Sequence, residues 1–376
     1  MTGTGVYWMG PVYDMGGYGN VSRNYLRALE SAGIPVCIHP IGGEHHAEIG
    51  SETRRWLDSL STDRLGPRIV CVKHGTPDFF EQPVAAPPAV KTVGVTLFET
   101  DRLPIGWAEL CNRMDEIWVP TRFNYATFSQ SGVIPSKLRI VPYPIDVTKY
   151  YPGKPYNRIV FQPPLRSFSF LYVFGFDFRK GIDLLLQSFC DEFSPYEDVS
   201  LVLKVYIHSG YSPAFVMSEI CSHIPAHRLQ SQIVVIVEPF DEERLSDLYL
   251  SCDAYVSTDR AGWGMPAMEM MALGKPAIGL NWGGYTEFMN ESNSFLIEPE
   301  PHLVPVDDKL QRDRPHYYGN HYWADIRPEK VRAAMREAYA NKSKRERIGK
   351  KAAFDIHFEF SPEAIGQTIK RLIEQS

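Results

Sequence analysis

No run of apolar residues approaches the roughly 18 that a helical membrane span requires. Cysteine is sparse: Cys37, Cys71, Cys111, Cys190, Cys221 and Cys252 are scattered, with no Cys-x-x-Cys pair and no metal-ligand spacing, so most are expected to be reduced core residues. Basic clusters are missing outside Lys342 to Lys351, and the net charge of −6 leaves no general basis for gripping nucleic acid. That stretch reads first as a solvated helix face. Weak peripheral contact with an anionic membrane is the lesser expectation, because stable anchoring takes a second signal. The start, Thr2 through Gly5 into Val6-Tyr7-Trp8-Met9, has neither a basic n-region nor a cleavage signal. A cytoplasmic protein is expected, with any membrane contact at the inner face. No Asp-x-Asp motif offers to hold a divalent metal on a diphosphate.

What is present is alternation. A chain of 376 residues exceeds one ordinary core, which stops growing at roughly 250 to 300 residues. Short apolar runs at Val6 to Met9, Ile34 to Ile38, Ile69 to Val72, Thr92 to Leu97, Ile117 to Val119 and Leu138 to Val141 read as strands between helix-period segments. Thr121 is an expected N-cap, and Gly33 and Gly132 are expected helix stops. After an irregular stretch rich in Pro and Tyr between Pro142 and Pro164, the alternation restarts at Phe170 to Phe174. The pattern predicts two α/β domains with parallel sheets, at 1–160 and 161–355. A final helix over 356–376 is announced by Ser361 and Pro362. Pro299 to Pro328 is turn-rich and reads as a long surface loop.

Three glycine-bearing segments carry the chemistry. Gly16, Gly17 and Gly19 follow the first strand and lead into a helix, where backbone N–H groups can face a phosphate. The spacing fails the Gly-x-Gly-x-x-Gly dinucleotide pattern at Ser22, and a turn needing positive φ is the alternative. Arg179 and Lys180 stand before a helix N-terminus in the second half, joining fixed charge to the helix dipole as a diphosphate leaving group demands. The third segment runs Ala261-Gly262-Trp263-Gly264-Met265-Pro266-Ala267-Met268-Glu269, followed by Gly283-Gly284-Tyr285-Thr286-Glu287. Glu269 lies in an otherwise apolar helix and needs a partner, for which a ribose diol is suited.

That third segment resembles the donor-site signature of retaining glycosyltransferases of family four, the glycosyl transferases group 1. Tyr18-Gly19 with Ser22-Arg23, Glu99 to Pro104, Asp115 to Pro120 and Pro142 to Asp146 are similar to the same family. The resemblance implies a GT-B fold, two Rossmann-like domains facing across a cleft, with the last helix crossing back to the N-terminal domain. It implies that Arg179 and Lys180 bind the donor diphosphate and that Glu269 binds the ribose. Gly16, Gly17, Gly264, Met265, Gly283, Gly284 and Glu287 complete the donor side. His74 is the candidate near the transferred sugar, with Glu99 and Asp101 on the acceptor side.

Two departures stand out: Ala261 occupies the place of a Glu that contacts the sugar in the family, and Phe176 replaces a usual Arg. The expected activity is metal-independent, cofactor-free transfer of a hexose-type sugar from a UDP- or GDP-linked donor to a glycan or lipid-linked acceptor. A catalytically impaired sugar-nucleotide-binding or scaffold protein is the alternative that Ala261 motivates.

Overall fold

The computed structural model describes residues 3–42, 49–60, 65–82, 86–207, 210–225, 228 and 232–374. The chain divides into two compact units. One comprises Met1–Lys149, Arg314–His321 and His357–Ser376, the other Tyr150–Asp313 and Tyr322–Ile356. The first break falls at Lys149/Tyr150, ahead of the 160/161 boundary drawn from composition.

Unit 1 is built on strands β1 (Thr4–Gly10), β2 (Val36–Pro40), β3 (Arg68–His74), β4 (Lys91–Val95), β5 (Glu116–Val119) and β6 (Leu138–Ile140). They form one parallel sheet in the order β2-β1-β3-β4-β5-β6. Unit 2 has β7 (Phe168–Gly175), β8 (Val199–Tyr206), β9 (Ile233–Ile236), β10 (Ala254–Val256), β11 (Ala277–Leu280) and β12 (Phe295–Ile297), in the order β12-β11-β10-β7-β8-β9, again parallel. Nearly every residue of β1, β7 and β8 is buried, as strands covered on both faces must be. In such sheets a ligand crevice opens beyond the carboxyl ends of the strands where the order reverses. These points lie between β1 and β3 in unit 1 and between β7 and β10 in unit 2.

Local signals account for the helix ends. Thr121 Oγ1 accepts from the Asn124 N–H at 2.8 Å, and Asp241 Oδ1 accepts from that of Arg244 at 2.8 Å. Ser361 Oγ caps the helix Pro362–Glu374 through the Ala364 N–H at 3.3 Å. That helix lies on Gly17–Ser31 within unit 1: a Cβ on Gly366 would stand 2.2 Å from the Ala28 carbonyl oxygen, so glycine permits the approach.

The expected surface loop at Pro299 to Pro328 is instead structured. Strands β13 (Leu303–Pro305) and β14 (Tyr322–Ala324) pair antiparallel, with helices Asp308–Asp313 and Pro315–Tyr318 between them. Its Arg314–His321 tip belongs to unit 1, where Tyr318 and His321 are buried. The Tyr318 and His321 side chains there serve packing, whereas His316 and Tyr317 are exposed. Among the described residues, no helix is long and apolar enough to cross a membrane.

Candidate functional site

The reversal point of unit 2 gathers most of the donor-side candidates. Beyond β7, Asp177 folds the chain into a tight turn: its Oδ1 accepts from the Arg179 N–H at 3.0 Å, over Phe178–Lys180. Gly181 then adopts φ 61° and starts the helix Ile182–Glu192, and its missing Cβ leaves room for Thr258, 3.1 Å away. The turn is tied to β10 and β7, since Thr258 Oγ1 donates to the Gly181 carbonyl at 2.8 Å and Tyr172 donates to that of Lys180 at 2.9 Å.

The Lys180 ammonium lies 2.8 Å from Asp259 Oδ2. The other oxygen of Asp259 accepts from Ser257 and Tyr285, each at 2.6 Å. Burial works to raise the Asp259 carboxyl, but the Lys180 charge and these hydrogen bonds outweigh it and hold it at about 2. Asp259 is therefore ionised and paired with Lys180, while Ala261, itself buried, offers no carboxylate. Phe176 is also buried, edge-on to Phe178 and Tyr211 at 5.7 and 5.2 Å, so the cationic role of the family residue is not filled at that position.

The two glycine segments of the signature touch through their backbones. The Gly284 N–H donates to the Ala261 carbonyl at 2.8 Å, and a Cβ on Gly284 would fall 2.2 Å from the Gly262 carbonyl oxygen. Gly264, at φ 111°, begins the helix Met265–Ala272, and a Cβ there would strike the Tyr285 ring at 2.4 Å. Gly264, Met265, Gly283 and Gly284 are thus brought together, and Glu287 ends the short turn Gly283–Glu287 half-buried. Glu269 is buried, but a protein group meets it: Tyr249 donates to its Oε2 at 2.6 Å. A partner from the preceding helix Glu242–Ser251 therefore offsets part of the burial cost that the sequence reading assigned to a ribose.

Sequence reasoning missed Lys204 on β8, fully buried, with its ammonium over the Tyr206 and Phe240 rings at 3.9 and 5.1 Å. Burial lowers it to about 8. A lysine inside an apolar strand was the available signal.

In unit 1, His74 ends β3 beside Gly10 at the end of β1, at that sheet's reversal point. It is buried, and burial holds its imidazole down at about 3, so it is neutral. The expected glycine loop is shorter than the sequence suggests, since Gly17 and Gly19 already belong to the helix Gly17–Ser31, and the segment is shaped by space. None of Gly16, Gly17 and Gly19 has positive φ, which removes the strained-turn alternative, whereas a Cβ on Gly19 would lie 1.9 Å from the Asp14 carbonyl oxygen. The Gly16 N–H is engaged by the Asp14 carboxylate. On the acceptor-side segment, Tyr318 donates to Glu99 Oε1 at 2.7 Å, Thr100 Oγ1 lies 2.7 Å from His321 Nδ1, and Asp101 pairs with Arg102 at 2.8 Å.

Comparison with known proteins places this geometry. The sequence model described as "Glycosyl transferases group 1" matches residues 156–303. A sequence comparison with curated proteins gives no match. Among solved structures, the chain is similar to Anabaena HepE in complex with UDP and glucose, at TM-score 0.67 and 14% identity, covering 100% of both chains. It is also similar to sucrose-phosphate synthase from Thermosynechococcus elongatus, at TM-score 0.66 and 15% identity, covering 99% of this chain and 98% of that one. A third is a glycosyltransferase from Rickettsia africae, at TM-score 0.66 and 12% identity with the same coverage. Residues 156–303 carry a glycosyl transferases group 1 domain, and the chain as a whole has the GT-B fold.

Proposed function

We propose that this protein is a retaining glycosyltransferase that moves a hexose-type sugar from a UDP- or GDP-linked donor to a hydroxyl of a glycan or lipid-linked acceptor, without a metal. The observation that carries the proposal is Lys180 pinned by Asp259 beside the N-terminus of the helix Ile182–Glu192, at the crevice of unit 2. The helix N-terminus, with Arg179 and Lys180 in the turn just before it, can receive an anion, although Asp259 offsets part of the Lys180 charge. HepE, of like fold, was crystallised with UDP and glucose, which supports a nucleotide sugar as that anion.

In the reaction proposed, the bond from the anomeric carbon to the diphosphate oxygen breaks while Arg179, Lys180 and the helix N-terminus stabilise the charge that develops. The acceptor oxygen bonds to the same face of that carbon, and its proton passes to the departing phosphate. Glu269, oriented by Tyr249, takes the ribose, Gly264, Met265, Gly283, Gly284 and Glu287 line the donor, and Gly16 and Gly17 approach it from the glycine loop. His74 meets the transferred sugar, with Glu99 and Asp101 on the acceptor side. Fixed cations make a metal unnecessary. The setting proposed is the cytoplasm, with at most weak contact at the inner membrane face.

Transfer by Arg179→Ala/Lys180→Ala should fall by roughly 100-fold or more, whereas wild type in EDTA should keep its rate. A near-normal double variant, or complete loss in chelator, would sink the proposal. The buried Ala261, with Asp259 already committed, favours a second reading as a binding protein without turnover. Stabilisation by a nucleotide sugar with no product from any acceptor would select it.

A further inference from the structure

The surroundings of His74 determine which of its nitrogens carries the proton. Its Nδ1 lies 2.6 Å from Ser22 Oγ, and Ser22 Oγ also accepts from Trp8 Nε1 at 3.3 Å. Indole is a donor only, so the Trp8 bond uses a lone pair of the serine. The serine keeps a second lone pair, but among the described residues His74 Nδ1 is the one acceptor within reach of its single hydroxyl proton, which places that proton on the Ser22–His74 bond. Gly10 makes the relay possible, because a Cβ there would stand 2.8 Å from Trp8 Nε1 and 2.9 Å from Ser22 Oγ.

The other nitrogen, Nε2, is buried and has no hydrogen-bond partner within the described protein. Four rings surround the imidazole: Trp8 at 5.6 Å, Tyr18 at 5.3 Å, Tyr25 at 6.4 Å and Tyr143 at 6.4 Å. Of these only Tyr18, in the first turn of the helix Gly17–Ser31, is exposed, so its side of the ring is the one nearest solvent. Among the described residues, the titratable groups facing His74 are the three phenols, and no carboxylate is paired with it to favour a charged ring.

We infer that Ser22 is a positioning residue that locks His74 in the neutral Nε2–H form, so that Nε2 is a permanent hydrogen-bond donor to an oxygen of the ligand and cannot act as a proton acceptor. The lock follows from the unit 1 geometry alone. Its use on a sugar hydroxyl or ring oxygen rests on the function proposed above. An imidazole of this kind orients its ligand and leaves the acceptor's proton to the departing phosphate.

Nitrogen NMR of the free, full-length protein tests the lock, with the His74 signals assigned by their loss in His74→Gln. The expected spectrum has Nε2 protonated and Nδ1 unprotonated, unchanged across neutral pH. Ser22→Ala should give a mixture of tautomers, and Ser22→Thr, which keeps the hydroxyl, should restore the single form. A protonated Nδ1 in wild type, a ring that titrates near neutrality, or the same single tautomer in folded Ser22→Ala would overturn the inference. Adding UDP-glucose and UDP separately distinguishes the lock from its use: a shift of the Nε2–H signal by UDP-glucose alone places the sugar there. A locked ring that neither compound moves supports the lock and counts against that placement of the sugar.

Discussion

His74 carries a consequence for stability that can be measured without any substrate. The fold holds it neutral down to about 3, against an ordinary value of 6.5, and burial is the cause. Above 6.5 both folded and unfolded chains are neutral at this residue, and full stability is present. As pH falls, the unfolded chain takes up a proton that the fold refuses, so stability is lost progressively towards pH 3. Between pH 7 and pH 5 this amounts to about 2 kcal/mol. Urea unfolding at the two pH values should show wild type losing that much more than His74→Gln; equal losses would contradict the assignment.

Residue-scale burial was partly legible in the sequence. The need of Glu269 for a partner could be read from the apolar residues around it, but Tyr249, which meets it, sits in another helix and no local pattern points to it. The same holds for Asp259. Its engagement with Lys180 depends on two loops converging from β7 and β10.

Elements divide by whether their signals are local. Strand and helix alternation, the caps at Thr121 and Ser361, and the glycine stops need only nearby residues, and they were readable. The β13–β14 hairpin was not. Its strands are three residues each, too short to establish a period of two, and Tyr318 at its tip is buried only because a distant segment receives it. Tyr318→Phe removes a hydrogen bond to buried Glu99 and should cost about 1–3 kcal/mol, read by urea unfolding; a change within error would show that the tip contributes nothing to unit 1.

The glycine segments of unit 2 offer a sharper test at this scale. Gly284→Ala would drive a methyl into the Gly262 carbonyl, where only backbone could yield. It should destabilise the protein by roughly 2 kcal/mol or more and weaken UDP-glucose binding, as followed by thermal unfolding with and without the nucleotide sugar. Unchanged unfolding would mean that the two segments do not meet as described.

For the whole molecule, sequence and shape report different extents of kinship. The family match stops at residue 303 and starts at 156, wholly within unit 2, whereas structural likeness runs the length of the chain at 12–15% identity. A donor site imposes shared chemistry through backbone glycines and fixed charges, which leaves a readable motif. Unit 1 shares the requirement for a parallel sheet, and that can be met by many apolar sequences. On the function proposed above, the sugar and the acceptor are less legible than the diphosphate because a diphosphate calls for positive charge, which few side chains supply, while shape can be filled in many ways.

The proposed function stands on the binding of a nucleotide diphosphate through Arg179 and Lys180. Thermal unfolding with UDP and GDP, in wild type and in Arg179→Ala/Lys180→Ala, tests it most directly, because a ligand that binds only the folded state raises its stability by mass action. At least one of the two should raise the unfolding temperature of wild type and leave the folded double variant unmoved. No shift in wild type with either, or an equal shift in both proteins, would contradict the account.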